Sequence, residues 1–121
     1  TPIRPLIIKC TSGAEAPEKA NQAFNVAAIA AASGASVSLW LTGEAVWFAV
    51  PGRAEQFDLP HAAPLADLRD AVLAAGSITV CSQCAARRAL ADSDLVPGAR
   101  IAGSALFVDE VLAPGAQALV Y

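Results

Sequence analysis

Apolar residues recur along the 121-residue chain in two rhythms, short unbroken runs and longer stretches spaced by three and four. The run Leu6-Ile7-Ile8-Lys9-Cys10 predicts a strand buried on both faces. Thr11 to Ala16 is small and polar. Pro17 then opens a helix where its missing N–H is harmless, with Glu15 and Glu18 near the positive dipole end. Ala20, Phe24, Ala27 and Ala31 mark the buried stripe of that helix, which runs to about Ser33 with Gly34 as its C-terminal cap. Val37, Leu39 and Leu41 alternate along a second strand, 36–41. A short apolar helix follows through Val46, Trp47 and Val50, and stops at Pro51-Gly52. Residues 51–64, with three prolines and the only histidine, predict an irregular loop.

A helix from Pro64 to Gly76 turns Leu65, Leu68, Val72 and Leu73 inward. Ser77 to Cys81 predicts the third strand, and a short helix from Ser82 to about Leu90 follows it. Ile101-Ala102 is a brief fourth strand, Ser104 to Leu112 a helix, and residues 118–121 the last strand. Five strands separated by helices predict one domain over residues 1–121. Its class is α/β, a three-layer sandwich with a five-stranded, mainly parallel sheet covered on both faces.

Composition adds a constraint on the surface. Hydrophobic residues make up 55% of the chain, 29 of them alanine, which excludes disorder. Charged residues reach only 16%, against about 25% in an average soluble domain. So few charges leave apolar surface to be buried against other subunits. Trp40, Trp47, Phe48 and the stretch around Phe57 are expected to supply it, within residues 40–60. Both tryptophans read as packing or subunit contacts rather than a ligand cage.

The net charge is −3, and the longest basic cluster is the pair Arg87-Arg88, so a nucleic-acid footprint is excluded. Phe24 to Thr42 is uncharged but broken by Asn25, Ser33, Gly34, Ser36 and Ser38, which is not a membrane span. Thr1-Pro2-Ile3-Arg4-Pro5 shows no signal-peptide pattern. Three cysteines, an odd number, argue against a disulfide scaffold, and a cytoplasmic protein is expected.

Open parallel sheets carry their sites beyond the carboxyl ends of the strands. Cys10, Gly43-Glu44, Cys81 and Gly103 all fall there. The sharpest signal is Cys81-Ser82-Gln83-Cys84, a Cys-x-x-Cys where a strand becomes a helix. Unpaired first-turn N–H groups stabilise a thiolate there, lowering its pKa from about 8.5. Arg88, four residues beyond Cys84 and seven beyond Cys81, shares their helical face and supports an anionic sulfur species. Cys84 is placed to resolve a modified Cys81.

Cys10 competes with a plain core role, and Glu44 is either a base or a first-turn helix acid. Cys10, Cys81, Cys84 and His61 match zinc in number, but Cys10 and His61 are solitary where zinc ribbons show two close pairs, so no metal is expected. Phosphate-loop and dinucleotide fingerprints are missing, and no cofactor is expected.

The segments Cys81-Ser-Gln-Cys-Ala-Ala-Arg-Arg-Ala-Leu, Leu95-Val-Pro-Gly-Ala-Arg-Ile-Ala-Gly and Gln117-Ala-Leu-Val-Tyr resemble the DsrE/DsrF-like family, as does Leu39-Trp-Leu-Thr-Gly-Glu-Ala-Val. The resemblance covers nearly the whole chain. It implies a three-layer α/β fold assembled as homotrimers or homohexamers. It also implies that Cys81 matches the cysteine carrying a persulfide in sulfur-relay members, with sulfur donor and acceptor proteins as partners. Cys84 matches the second cysteine of the YchN-like branch. At Ala89 the chain departs from the family's Arg-Gly, which bears on how the helix ends. The expected function is a persulfide carrier of sulfurtransferase type; the alternative is a redox-sensing or small-ligand-binding oligomeric module without turnover.

Overall fold

The computed structural model describes residues 4–121; Thr1, Pro2 and Ile3 of the N-terminal stretch lie outside the described residues. Five strands, β1 (Pro5–Cys10), β2 (Ser36–Leu41), β3 (Ser77–Cys81), β4 (Arg100–Ala102) and β5 (Gln117–Val120), form one sheet in the order β4-β3-β2-β1-β5. Every pairing is parallel, with Ile8 opposite Leu39 and Leu119, and Val80 opposite Leu41 and Ile101. Five helices connect them: α1 (Pro17–Ala32), α2 (Arg53–Gln56), α3 (Leu65–Ala75), α4 (Ser82–Arg87) and α5 (Ser104–Val111). Residues Gly43–Ala49 form a 3₁₀ segment.

Strand alternation assigns the two faces. Ile8, Cys10, Val37, Leu39, Leu41, Ile78 and Val80 pack under α1, α3 and α4 in the main core, closed by Phe24, Leu65 and Val72. Small side chains at Ala20, Ala23, Ala27 and Ala28 let α1 lie close on the sheet. The opposite face is covered by α5 alone. Trp40 meets Phe107 edge-on at 5.4 Å. Glu110 ties the layer down, accepting hydrogen bonds from Ser38 (2.6 Å) and Trp40 (2.9 Å) and pairing with Arg100 (3.2 Å).

Helix ends follow from single residues. Gly34, at φ 90°, closes α1 with Ala35 N–H to Ala30 O and Gly34 N–H to Ala31 O, both 3.1 Å. That pair of bonds is a Schellman motif. The same motif ends α4, with Leu90 N–H to Ala85 O at 2.9 Å and Ala89 N–H to Ala86 O at 3.2 Å, but Ala89 holds the left-handed position at φ 55°.

Three expectations need correction. Residues 51–64 are not wholly irregular, because Arg53–Gln56 makes a helical turn anchored by buried Arg69, whose guanidinium grips Glu55 at 2.8 and 3.1 Å. The helix begun at Ser82 stops at Arg87, short of Leu90. Trp40 and Phe48 are not interface surface: they are 1% and 4% exposed. Trp40 lies beneath α5, and Phe48 is packed edge-on between Phe24 and Phe57. The exposed large apolar side chains include Val108 and Leu112 of the α5 region and Leu119 and Val120 of β5. No described helix is long and apolar enough to cross a membrane.

Candidate functional site

Cys81 ends β3 and is the N-cap residue of α4, with extended backbone at φ −59°, ψ 127°. It is half-buried, whereas Cys10 and Cys84 are buried; all three are free thiols. Burial alone would raise the Cys81 pKa, but the amide N–H and thiol of Cys84, the Gln83 amide and the Lys9 charge outweigh it, so the net shift is downward. No cap hydrogen bond closes onto the Cys81 side chain.

Cys84 lies one turn on, facing the core beside the 3₁₀ segment. Its sulfur accepts the Gly43 N–H at 3.2 Å and has Arg87 Nη1 at 4.0 Å. Gly43 is required there: it sits at φ 57°, and a Cβ would come within 2.9 Å of the Thr11 carbonyl oxygen. Gly103 is the N-cap of α5, and a Cβ on it would reach Ser82 Oγ at 3.4 Å. The β4–α5 turn thus lies against the start of α4.

Arg88 takes a different place from the one its helical spacing suggested. Its guanidinium donates to Glu44 Oε2 at 2.7 Å and to the Cys84 carbonyl at 3.1 Å rather than to a sulfur. The physical reason is that Arg88 is the C-cap of α4, where its guanidinium reaches back to the Cys84 carbonyl and across to the Glu44 carboxylate. Arg87 is the arginine beside the Cys84 sulfur. Glu44, bonded to Arg88 and to the Trp47 indole (3.2 Å), is held below the usual carboxylate range. It is an ion-pair partner rather than an unpaired base.

Cys10 is fully buried, donates its S–H to the Ser12 carbonyl at 3.3 Å, and is pushed up to about 11 by burial. His61 stands exposed on a loop at φ 62°. Among the described residues no three His, Cys, Asp or Glu side chains group as metal ligands.

Lys9 is the residue that motif reading missed. It is the single charge in the first apolar run, one position before the strand's end, and its ammonium sits over the Phe107 ring at 4.1 Å while lending positive field to Cys81. A lone lysine at the carboxyl end of a buried strand was the available signal.

The sequence profile described as the DsrE/DsrF-like family matches residues 5–119. A comparison with curated proteins finds no match. Among solved structures, the chain is similar to the ychN protein from E. coli, with TM-score 0.82, 15% identity, and 98% of this chain and 100% of that one covered. It is also similar to a protein of unknown function, MTH1491 from Methanobacterium thermoautotrophicum (TM-score 0.68, 10% identity, 99% and 100% covered). A third is BT1422 from Bacteroides thetaiotaomicron, a conserved protein of unknown function (0.64, 16%, 98% and 95%). At these identities the structural likeness speaks for the fold.

Proposed function

The chain belongs to the DsrE/DsrF-like family, and on that premise we propose that it carries sulfur as a persulfide on Cys81, with Cys84 as the resolving thiol. One observation carries the reading. Cys81 alone of the three cysteines is partly open to solvent, and its surroundings favour the thiolate, the form that attacks.

The Cys81 thiolate attacks the outer sulfur of a donor persulfide. The donor's S–S bond breaks, its inner sulfur leaves as a thiolate, and Cys81 becomes the persulfide. An acceptor thiolate then repeats the exchange and frees Cys81. In the intramolecular branch Cys84 attacks the inner sulfur of Cys81, a Cys81–Cys84 disulfide forms, and the outer sulfur departs as hydrosulfide. The donor and acceptor are proteins in this reading, and the setting is the cytoplasm, where thiols stay reduced.

The test is intact mass after incubation with inorganic polysulfide. Cys84→Ser gains the mass of one sulfur and Cys81→Ser does not, while wild type either holds the added sulfur or ends as the Cys81–Cys84 disulfide left when Cys84 expels it. No gain in Cys84→Ser, or an unchanged gain in Cys81→Ser, refutes the proposal. A Cys81–Cys84 disulfide that cycles without sulfur loading favours the redox-sensor alternative.

Assembly as a homotrimer or homohexamer belongs to the same proposal, supported by Leu112 and Val120 at 75% and 66% exposure on the face that α5 covers alone. Sedimentation velocity at micromolar concentration checks it. A single boundary at the mass of one chain overturns it.

A further inference from the structure

Beside the cysteines the fold holds a second feature with its own chemistry. An open cleft of about 510 Å³ lies between the β1–α1 loop and the segment following β2, at the carboxyl end of the sheet. The size is that of a small-molecule site, roughly 300–1,000 Å³. Its apolar wall is Trp47, Phe48 and Phe57. Phe48 is held from beneath, edge-on to core Phe24 at 5.7 Å and to Phe57 at 5.5 Å. The floor is therefore rigid.

The polar groups of the cleft are Glu15, Glu44, Arg53 and Gln56. Both carboxylates are already engaged: Glu44 with Arg88 and the Trp47 indole, Glu15 with the Gly13 N–H. Arg53 makes no salt bridge among the described residues; its charge only adds, at longer range than Arg88, to the field that holds Glu44 ionised. Its guanidinium lies over the Trp47 ring, 4.4 Å from the centroid. Stacking orients the guanidinium, while the N–H edge that matches an oxyanion stays available. The helical turn that carries Arg53 is anchored from behind by the Arg69–Glu55 fork.

We propose that this cleft binds a small molecule bearing an oxyanion, carboxylate or phosphate, on an apolar or aromatic body. The oxyanion pairs with Arg53, Gln56 supplies a further polar contact, and the body lies against Trp47, Phe48 and Phe57. Nothing in this assignment depends on Cys81.

The experiment follows the two tryptophan indole signals in proton–nitrogen correlation spectra of the full chain, with Trp47 identified by the signal that Trp47→Phe removes. Phenylacetate and phenyl phosphate are the probes; 2-phenylethanol and acetate are the controls. The expected result is a saturable shift of the Trp47 signal with at least one aromatic oxyanion, while buried Trp40 stays in place. The tighter of the two probes identifies the oxyanion. Arg53→Gln weakens that binding roughly tenfold or more, and Arg53→Lys, which keeps the charge but loses the fork, also weakens it.

The proposal is overturned if neither probe shifts Trp47 saturably, if 2-phenylethanol binds as tightly as phenylacetate and phenyl phosphate, or if both Arg53 variants bind like wild type. Repeating the titration in Cys81→Ser separates the two readings, since that substitution removes sulfur loading and leaves the cleft intact.

Discussion

Ala89→Gly should stabilise this protein, and the amount follows from two bonds and one dihedral. Ala89 occupies the left-handed position of the motif that ends α4, at φ 55°. An L-residue there costs about 1–2 kcal/mol relative to glycine. Glycine returns about 0.5–1 kcal/mol of that through the greater freedom it gives the unfolded chain. The net expectation is about 0.5–1 kcal/mol of added stability, a rise in thermal midpoint of about 2–4 °C for a domain of this length.

The chain contains its own control. Gly34 closes α1 with the same bonds at φ 90°, and a Cβ added there meets nothing within 4 Å, so Gly34→Ala isolates the dihedral cost. Thermal and urea unfolding at one protein concentration measure both variants. A midpoint for Ala89→Gly at or below wild type refutes the reasoning, decisively so if Gly34→Ala is destabilised as expected.

Cys10 gives a pH prediction. Burial moves its thiol from 9.0 up to about 11, so between those values the unfolded chain binds fewer protons than the folded one, and stability falls as pH rises through the window. The loss is roughly 2–3 kcal/mol in all; Cys10→Ala removes that share of the pH dependence in urea titrations, and an unchanged slope refutes it. Lys9→Gln takes positive field away from Cys81, so its rate of alkylation by iodoacetamide against pH moves to higher pH; an unmoved profile excludes Lys9 from the site. Gly43→Ala forces a Cβ against the Thr11 carbonyl at positive φ and costs about 1–3 kcal/mol in urea unfolding. A neutral result means the Thr11 and Gly43 loops are not interlocked.

The β3–Cys81–α4 junction was legible because the hydrophobic period changes there, from a continuous run to helical spacing, and both neighbouring cysteines fall on the change. Other features lacked such a signal. Arg53–Gln56 contains one apolar residue, Ala54, so no period marks its helical turn. Arg69 lies four residues after Leu65 and three before Val72, on the inward stripe of α3, but its charge disguised a buried position that the fork to Glu55 makes tolerable. Alternation along β2 separated Ser38 and Trp40 from Val37, Leu39 and Leu41. It could not say that α5 would roof the Trp40 side, because that contact joins residues far apart in sequence. The Gly43–Cys84 bond is non-local in the same way.

The placement of β5 on the far edge, beside β1, has a consequence for the order in which the molecule assembles. Strands β1 to β4 are laid down side by side in chain order, joined through residues 11–35, 42–76 and 82–99. The β5 strand must instead return across the whole sheet behind α5, and the Arg4 to Gly115 hydrogen bond at its start joins residues 111 positions apart. Pairing β5 with β1 before the block exists closes a free loop of that size, at about 4 kcal/mol of chain entropy; on a formed block only residues 103–116 have to close, onto a strand whose four residues are all exposed. The β4-to-β1 block can therefore nucleate without it. In that order of assembly the α5–β5 unit docks last, and its arrival is what buries Trp40 and engages Glu110.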